Sequence, residues 1–293
     1  MNHQEKKLLC KADCLDMSDR NFDVEELVMR LGRIYSESPI TLVDISRNLS
    51  SRDAQQPAKM NQLMAALQRM MSENKNITAL LLAGNHLFEK RPHPANNHLR
   101  DYLLDLSAML VTSSITEIDI SDNNVIGNMG RQLSGLAALC RQFLLIKGTS
   151  FTCRSNELNS NSLLFISECL GSFSSITYLD LSDNFATRDS SGTVNIEGIR
   201  ELASRLSQTM KLKTLILARN ALCDDCISFI FDAVAAMPQI QTVDVSGNIF
   251  GEMGAEAVKR AILSHSLNLG RRYELHQHCL CCIPCTSLSS GAV

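Results

Sequence analysis

The sequence predicts an α/β solenoid in which short parallel strands alternate with helices, and three observations support this prediction. A frame of the form apolar-x-x-apolar-x-apolar-x-x-Asn recurs through most of the 293 residues. Each copy is followed by a stretch with apolar residues three and four positions apart, which is typical of an amphipathic helix. Successive copies lie 26 to 38 residues apart, and a recurrent period indicates supersecondary units that stack on one another.

The clearest copy of the frame lies near the C-terminal end of the chain. Ile240, Val243 and Val245 occupy its apolar positions, Asn248 closes it, and the helix-like stretch MGAEAVKRAIL follows. Because side chains alternate along a strand, the apolar positions are expected to face the helices. The Asn amide is expected to pair with backbone groups that a buried turn would leave without partners. Five further complete copies close at Asn48, Asn85, Asn123, Asn184 and Asn220.

Two imperfect copies fill the remaining gaps. The stretch LLIKGTSF (144–151) aligns with LLLAGNHL (80–87), which places Thr149 at the Asn position. Near the start, CLDMSDRNF (14–22) places Arg20 at the Asn position, one 28-residue period before Asn48. A threonine can form part of the hydrogen bonds expected of asparagine. An arginine at this position indicates an exposed, terminal copy.

Each frame leads into a predicted helix, and the repeats together define the expected domain organisation. One repeat cannot bury its own apolar face, whereas a stack of repeats forms a continuous core. We predict a lead-in over residues 1–14, a solenoid of about eight repeats over 15–265, and a cysteine-rich tail over 266–293. The predicted helices are DVEELVMRLGRIY, MNQLMAALQRMM, LRDYLLDLSAMLV, GRQLSGLAALC, NSLLFISECL, IEGIRELASRLSQTM, SFIFDAVAAM and GAEAVKRAIL.

Composition narrows the classes of function. The net charge is −3 and both signs are mixed along the chain, which argues against a protein that binds nucleic acid through phosphate contacts. The N-terminal stretch MNHQEKKLLCKADC lacks the apolar run of a signal peptide, and no stretch approaches the roughly 20 apolar residues of a membrane helix. The 11 cysteines show no paired spacing of the kind that staples a small secreted fold, so mostly reduced thiols in a cytoplasmic protein are expected.

The chain shows no motif of an enzyme. A nucleophile elbow, a Walker loop, HExxH and GxGxxG are all missing from the sequence. We therefore expect no catalytic residues, no cofactor and no bound metal in the repeats.

A candidate binding surface is formed by the strand residues that lie between the apolar positions. Its middle row is predicted to be Asp16, Asp44, Leu81, Asp119, Leu145, Asp180, Ile216 and Asp244. Acidic and aliphatic residues nearly alternate, which indicates docking of a protein with a basic, partly apolar face. The alternative is that aspartate here only keeps an open face soluble. The predicted partner-binding residues are Asp44, Arg47, Glu117, Asp119, Asp122, Tyr178, Asp180, Asp183, Arg219 and Asp244.

Two groups of cysteines raise the question of metal or redox chemistry. Cys223 and Cys226 have CxxC spacing, but no second CxxC lies at zinc spacing, so packing at the strand-to-helix turn is favoured. In the tail, four interpretations stay open: metal binding that includes His276 and His278, acylation, one further partial strand followed by disorder, or a terminus without a selected role. The tail cysteines, which are the acylation candidates, are Cys279, Cys281, Cys282 and Cys285.

The frame is that of a leucine-rich repeat, and it resembles the intracellular group that includes ribonuclease inhibitor, Ran GTPase-activating protein and the NOD-like receptors. The resemblance implies a horseshoe with parallel strands on the concave face and helices on the convex face. A closer resemblance, over about residues 15–265, is to the repeat region of CARMIL proteins, the regulators of actin capping protein. It is carried by VDVSGNIFGEMGAEAVKRAI (243–262), by the preceding LKTLILARNALCDDCISFIFDAVAAMPQIQT, by the long insertion after Asn184, and by LDMSDRNFDVEELVMRL and ITEIDISDNNV.

The resemblance to CARMIL proteins implies a non-enzymatic scaffold that regulates actin filament organisation at the cell edge. Its partners would be proteins on the concave face, with cytoskeletal regulators as one class, and peripheral membrane association is a further expectation. The regions that bind lipid and capping protein in that family are expected to be missing here, so no functional residue is carried over. The alternatives are a regulator of a small GTPase similar to the Ran activator, a generic leucine-rich-repeat adaptor, and an innate-sensor-like array, which is the least favoured.

Overall fold

The structure, a computed structural model, describes residues 13–54, 56–88, 101–125, 132–172 and 174–269. In these residues, eight strands of three residues each form one parallel sheet, ordered along the sheet as along the chain. The strands are β1 (Cys14–Asp16), β2 (Leu42–Asp44), β3 (Ala79–Leu81), β4 (Glu117–Asp119), β5 (Ser150–Thr152), β6 (Tyr178–Asp180), β7 (Thr214–Ile216) and β8 (Thr242–Asp244). The predicted α/β architecture of alternating strands and helices is therefore confirmed.

The helices connect successive strands, and their apolar stripes pack against the sheet. They belong with the middle residues of the strands to one hydrophobic cluster that runs the length of the stack. Several helices extend beyond the predicted segments, most clearly α5 and α9. The helices are α1 (Val24–Leu31), α2 (Ser51–Ala54), α3 (Pro57–Glu73), α4 (Tyr102–Leu110), α5 (Gln132–Leu145), α6 (Ser160–Ser167), α7 (Glu197–Leu206), α8 (Asp224–Ala236) and α9 (Glu252–Leu269).

The predicted asparagines form a ladder of hydrogen bonds that joins each repeat to the next. Asn123 shows the pattern: its Nδ2 donates to the carbonyls of Leu82 (2.9 Å) and Ile120 (3.2 Å). Its Oδ1 accepts from the backbone N–H groups of Asn85 and Leu87, both at 3.1 Å. Each buried amide thus satisfies backbone groups of two neighbouring turns, which the structure confirms as the role predicted for this residue.

The first repeat has the predicted exposed end of the ladder. Asn48 Oδ1 accepts from the N–H groups of Arg20 and Phe22, both at 3.2 Å, so Arg20 occupies the Asn position of the first repeat. The Arg20 side chain is exposed, as expected for a terminal copy.

The fifth repeat differs from the prediction, because its Asn position is Asn156 and not Thr149. Asn156 Oδ1 accepts from Asn123 N (2.9 Å), and its Nδ2 donates to the Ile120 carbonyl (2.9 Å). Thr149 lies one residue before β5, where its N–H and its hydroxyl both contact the Thr116 carbonyl, at 2.7 and 3.2 Å. The placement of Thr149 at the Asn position was therefore wrong.

The physical reason lies in the end of α5. This helix continues to Leu145, so the apolar run LLI belongs to the helix and the turn that follows it. The first apolar position of the fifth repeat is then Gly148, where an added Cβ would overlap the Phe143 ring. Phe143 in turn packs on Phe151 of β5 with ring centroids 5.4 Å apart. Leu145, predicted to lie in the outward row of a strand, is 73% exposed at the helix end, and Thr152 takes its place.

The ladder is incomplete at one junction, between the sixth and seventh repeats, where Asn220 Nδ2 still donates to the Leu181 carbonyl (2.9 Å). Asn220 Oδ1 is buried and has no hydrogen-bond partner among the described residues. After Asn184 the chain turns aside, and Phe185 N donates to the Leu158 carbonyl (2.7 Å). The insertion then forms a small hairpin that is closed by a bridge between Arg188 and Val194. The longer connection thus replaces only the accepting half of the regular contact at this junction.

Several predictions concern residues that lie outside the described part of the chain. Most of the tail, with all four acylation candidates, lies there, as does most of the loop FEKRPHPANNH. Within the described ranges, no helix is long and apolar enough to cross a bilayer.

The assignment of Asn156 predicts a large difference between two substitutions. Asn156→Ala removes a fully buried amide with five hydrogen-bond contacts and leaves backbone groups unsatisfied, so the free energy of unfolding is expected to fall by about 3 kcal/mol or more. Thr149→Ala removes one hydroxyl bond on a half-buried residue and is expected to cost less than about 1 kcal/mol. Denaturant titration followed by circular dichroism measures both values, and equal losses would contradict the assignment.

Candidate interaction surface

The first and third residues of each strand point away from the buried middle residue, and we call the surface that they form the open face. Neighbouring strands pair position by position throughout, so these residues line up in two rows. The first row is Cys14, Leu42, Ala79, Glu117, Ser150, Tyr178, Thr214 and Thr242, and the third-residue row is Asp16, Asp44, Leu81, Asp119, Thr152, Asp180, Ile216 and Asp244. Within these eight described strands, neither row contains lysine or arginine.

The aspartates of the third-residue row also serve the turns that follow the strands. Oδ1 of Asp44, Asp119 and Asp180 accepts from the backbone N–H two residues further on, each at 2.9 Å. A short carboxylate side chain favours this local turn. Asp16 and Asp244 form the same contact, at 3.0 and 2.9 Å. The turn gives a reason for aspartate at this position that requires no partner, in line with the alternative left open by the sequence.

Burial differs along this row. Asp44, Asp119 and Asp180 are 3%, 9% and 8% exposed, whereas Asp244 is partly exposed and Asp16 is exposed. A partner would therefore meet Asp16, Asp244 and the partly exposed Glu117 more directly than the three buried aspartates. The buried carboxylates would act mainly through the field that they add to the surface.

The centre of the open face is acidic and contains a tyrosine. Burial raises the pKa of the Asp180 carboxyl, and hydrogen bonds from Ser182 oppose that shift. Burial likewise raises the pKa of the Tyr178 phenol, and the nearby Asp180 and Asp119 add to the effect. Tyr178 is thus held as a neutral phenol beside two carboxylates, so the centre combines apolar ring area with acceptors for a cationic group.

One edge of the open face carries a further row of residues, most of them charged, which we call the left-handed column. Each of its members directly precedes the Asn position of its repeat, and each has a positive φ, from 52° at Ser155 and Arg219 to 68° at Gly247. Asparagine, aspartate and glycine tolerate this conformation best, so arginine here is uncommon. The column is Asp19, Arg47, Gly84, Asp122, Ser155, Asp183, Arg219 and Gly247.

Charges in the left-handed column pair with each other across repeats. Arg47 contacts Asp19 through two hydrogen bonds, at 2.5 and 2.6 Å. Asp183 is contacted by both Arg219 and Arg154, the latter at 2.6 Å. The bound Arg219 guanidinium lowers the pKa of the Asp183 carboxyl, and the charge of Arg154 adds to the effect. Arg47 is therefore paired with a carboxylate of its own, whereas Arg219 and Arg154 share one.

All ten predicted partner-binding residues lie on this combined surface, and whether they bind a partner stays a prediction. Two residues of the surface were missed, Asp19 and Arg154. Asp19 lies 28 residues before Arg47, a repeat spacing that could have identified it, whereas Arg154 was hidden by the misplaced fifth repeat. The six residues in strands are Asp44, Glu117, Asp119, Tyr178, Asp180 and Asp244, and the four in the left-handed column are Arg47, Asp122, Asp183 and Arg219.

The cysteine candidates separate into two groups. Cys223 is partly buried at the N-terminus of α8, where packing at the strand-to-helix turn was predicted, and Cys226 is buried one turn into the helix. The tail residues Cys279, Cys281, Cys282 and Cys285 lie outside the described residues. In the ranges that the structure describes, no group of three or more His, Cys, Asp or Glu side chains is arranged to hold a metal ion.

Two aspartates three residues apart are predicted to respond in opposite ways to neutralisation. Asp183→Asn removes the carboxylate between two arginines, so the free energy of unfolding at pH 7 is expected to fall by about 0.5–1 kcal/mol. Asp180→Asn keeps an oxygen that can accept from Ser182 N and removes a buried charge, so stability at pH 7 is expected to be unchanged or higher. Asp232→Asn, at an exposed position in α8, serves as the control.

The pH dependence of these two variants follows from the pKa shifts. The folded-state pKa of Asp183 is lowered, so its contribution is present above the unfolded-state value of about 3.9 and is lost as pH falls through the folded value. The folded-state pKa of Asp180 is raised, so its ionisation reduces stability as pH rises from about 3.9 through the folded value. Denaturant titrations between acidic and neutral pH measure both, and a larger loss for Asp180→Asn at pH 7 would contradict this assignment.

Comparison with known proteins adds no relative from which a function could be transferred. A scan against models of protein families finds no match to this chain, and a search of curated proteins finds none either. Any function assigned to the chain therefore has to come from the geometry and charge of the open face and from the resemblance in its repeats.

Proposed function

We propose that the chain is a non-enzymatic leucine-rich-repeat horseshoe that binds a protein partner on its open face, which would be the concave face of the horseshoe. Eight strands in register present side chains at regular spacing over a long surface, and stacked repeats commonly use such surfaces for binding. The local hydrogen bonding supports the proposal, because the asparagine ladder rigidifies the turns that border the strands. A rigid surface loses little conformational entropy when a partner docks.

The observation that carries this proposal is the one-sided charge of the two strand rows. Their ionisable residues include Asp16, Asp44, Glu117, Asp119, Asp180 and Asp244, and no cationic side chain lies in the same rows of the described strands. Leu42, Leu81, Ile216 and Tyr178 lie between these carboxylates and supply apolar area. The partner is accordingly a protein with a basic patch interrupted by apolar side chains, since interfaces are complementary in potential.

The left-handed column supports the same polarity of partner. Arg47 and Arg219 are the cations nearest to the strand rows in the column, and both are held in ion pairs with column aspartates. Arg154 also contacts Asp183, so two arginines at this edge share one carboxylate, while the rows of the eight described strands carry six carboxylates and no cation. The net field over the open face is negative, which would steer a basic partner towards it.

For the cellular role, we propose a scaffold in the regulation of actin filament organisation. The support is the resemblance of residues 15–265 to the repeat region of CARMIL proteins. The expected partners are then cytoskeletal regulators with a basic docking face. The proposed binding surface and the proposed cellular role can be tested separately. A basic partner from another pathway would support the binding surface without supporting the role in actin organisation.

A charge-neutralised variant tests the binding surface. Glu117→Gln, Asp119→Asn, Asp180→Asn and Asp244→Asn together remove four charges while keeping the side-chain oxygen that can accept from the turn N–H groups. Affinity for a purified partner, first recovered by capture on the wild-type protein, is expected to fall about tenfold or more, with a weaker dependence on salt. Isothermal titration calorimetry at two ionic strengths measures both effects.

The matched control neutralises four exposed acidic residues on the helices. Asp225→Asn, Asp232→Asn, Glu252→Gln and Glu256→Gln change the net charge by the same amount and leave the open face intact. Binding by this control is expected to stay within about twofold of wild type, since exposed charges beyond a Debye length are screened. Full affinity in the open-face variant, or an equal loss in the control, would refute the proposed surface. Partners without any cytoskeletal protein would refute the cellular role alone.

A further inference from the structure

Two cysteines at the start of α8 lie close enough to react with one another. Cys223 is the N-cap residue of this 13-residue helix, and Cys226 is one turn further on. Their Sγ atoms are 3.6 Å apart. Residues at this spacing share one face of a helix terminus, so both sulfurs are held together by the helix and not by chance contact between loops.

The two thiols differ in access to solvent. Cys226 is fully buried, whereas Cys223 is partly exposed. The chain also buries Cys140, Cys153 and Cys169 in the core of the fourth and fifth repeats, and none of these three presents a sulfur to solvent. Among the described residues, only the pair in α8 therefore combines an accessible thiol with a buried one within contact distance.

We propose that Cys223 and Cys226 are a redox-active pair that forms a reversible intramolecular disulfide by exchange with a small disulfide of the oxidised-glutathione class. In the first step, the Cys223 thiolate attacks one sulfur of the small disulfide, whose S–S bond breaks, and one small thiol leaves. In the second step, Cys226 loses its proton to solvent and attacks Cys223 Sγ, which expels the other small thiol. Two electrons pass from the protein pair to the small disulfide, and one S–S bond replaces another.

The local geometry favours both steps. The Cys223 side chain makes no capping hydrogen bond to the first turn of α8, so no capping contact holds its sulfur away from an incoming disulfide. Closure needs the sulfurs to move from 3.6 Å to about 2.05 Å, a shift that rotation of the partly exposed Cys223 side chain can supply. Leu222 and Ile227 on either side are buried in the core, which anchors the backbone that carries both sulfurs. Burial raises the pKa of the Cys226 thiol to about 12, so the second step is the slower one.

The pair also borders the junction between the last two repeats. Asp224, between the two cysteines, accepts hydrogen bonds from the N–H groups of Gly251 (2.8 Å) and Gly254 (2.6 Å) at the start of α9. A disulfide between the two cysteines that flank Asp224 would fix the backbone that carries this carboxylate. The oxidised form is therefore expected to hold the last repeat at least as firmly as the reduced form.

Exposure of the full chain to oxidised glutathione, followed by alkylation and peptide mass mapping, tests the proposal. Wild-type protein is expected to lose two hydrogen atoms in the peptide that contains Cys223 and Cys226, and dithiothreitol is expected to reverse the change. Cys226→Ala is expected to retain a glutathione adduct on Cys223, because no second thiol is present to release it. Cys223→Ala is expected to leave Cys226 reduced, because burial shields its sulfur.

Internal controls in the same digest keep the result interpretable. Cys140 and Cys169 are expected to oxidise at least about tenfold more slowly than the pair. Circular dichroism melting establishes that each variant is folded. The proposal is overturned if folded wild-type protein forms no Cys223–Cys226 disulfide. It is equally overturned if Cys226→Ala acquires no adduct at Cys223, or if the buried thiols oxidise as fast as the pair.

Discussion

The hydrogen bonds of the buried asparagine side chains are the interaction on which the rest of this structure depends. Each strand is only three residues long, so sheet hydrogen bonds alone bind neighbouring repeats weakly. The turn that follows each strand is buried and contains N–H and carbonyl groups that water cannot reach. An asparagine amide both donates and accepts, and Asn48 or Asn123 in this position satisfies two successive turns at once. The regular spacing of the strands follows from that repeated contact.

The same turns fix the character of the open face. Asp44, Asp119 and Asp180 close the strand ends by accepting a backbone hydrogen bond, and this role places carboxylates in one row. The residue before each asparagine is left-handed, and its side chain is presented at the edge of the surface, where Asp183 pairs with Arg219. Fold and surface charge are therefore not independent. A substitution intended to alter binding has to preserve the turn contact, which is why amides are better replacements here than alanine or lysine.

The repeated frame could be predicted from the sequence, but the contacts between distant repeats could not. Asn48, Asn85, Asn123, Asn184, Asn220 and Asn248 were identified because the turn demands one residue type at a fixed offset from apolar positions. The fifth repeat was misplaced because the end of α5 imitates the frame, and because Gly148 is acceptable at an apolar position only when the Phe143 ring fills its space. No local pattern carries that information.

The candidate surface shows the same division. Its strand residues followed from alternation along each strand, apart from Leu145, whose place belongs to Thr152. The ion pairs of the left-handed column, such as Arg219 with Asp183, join residues 36 positions apart, and the variable length of the connections conceals that pairing. Burial of Asp44 and Asp180 was also missed, since a strand pattern does not say how deeply a turn encloses its carboxylate.

The incomplete ladder contact between Asn184 and Asn220 has a consequence for how this chain tolerates added sequence. The hairpin after Asn184 is closed by its own bridge and by Asp189, which accepts from the N–H groups of Ser191 (2.8 Å) and Thr193 (3.0 Å). Its tip is exposed and contributes nothing to the ladder. An additional peptide grafted into residues 190–192 would lengthen a loop whose ends are already held, at little entropic cost. This junction is where the architecture accommodates new sequence without disturbing the repeats on either side.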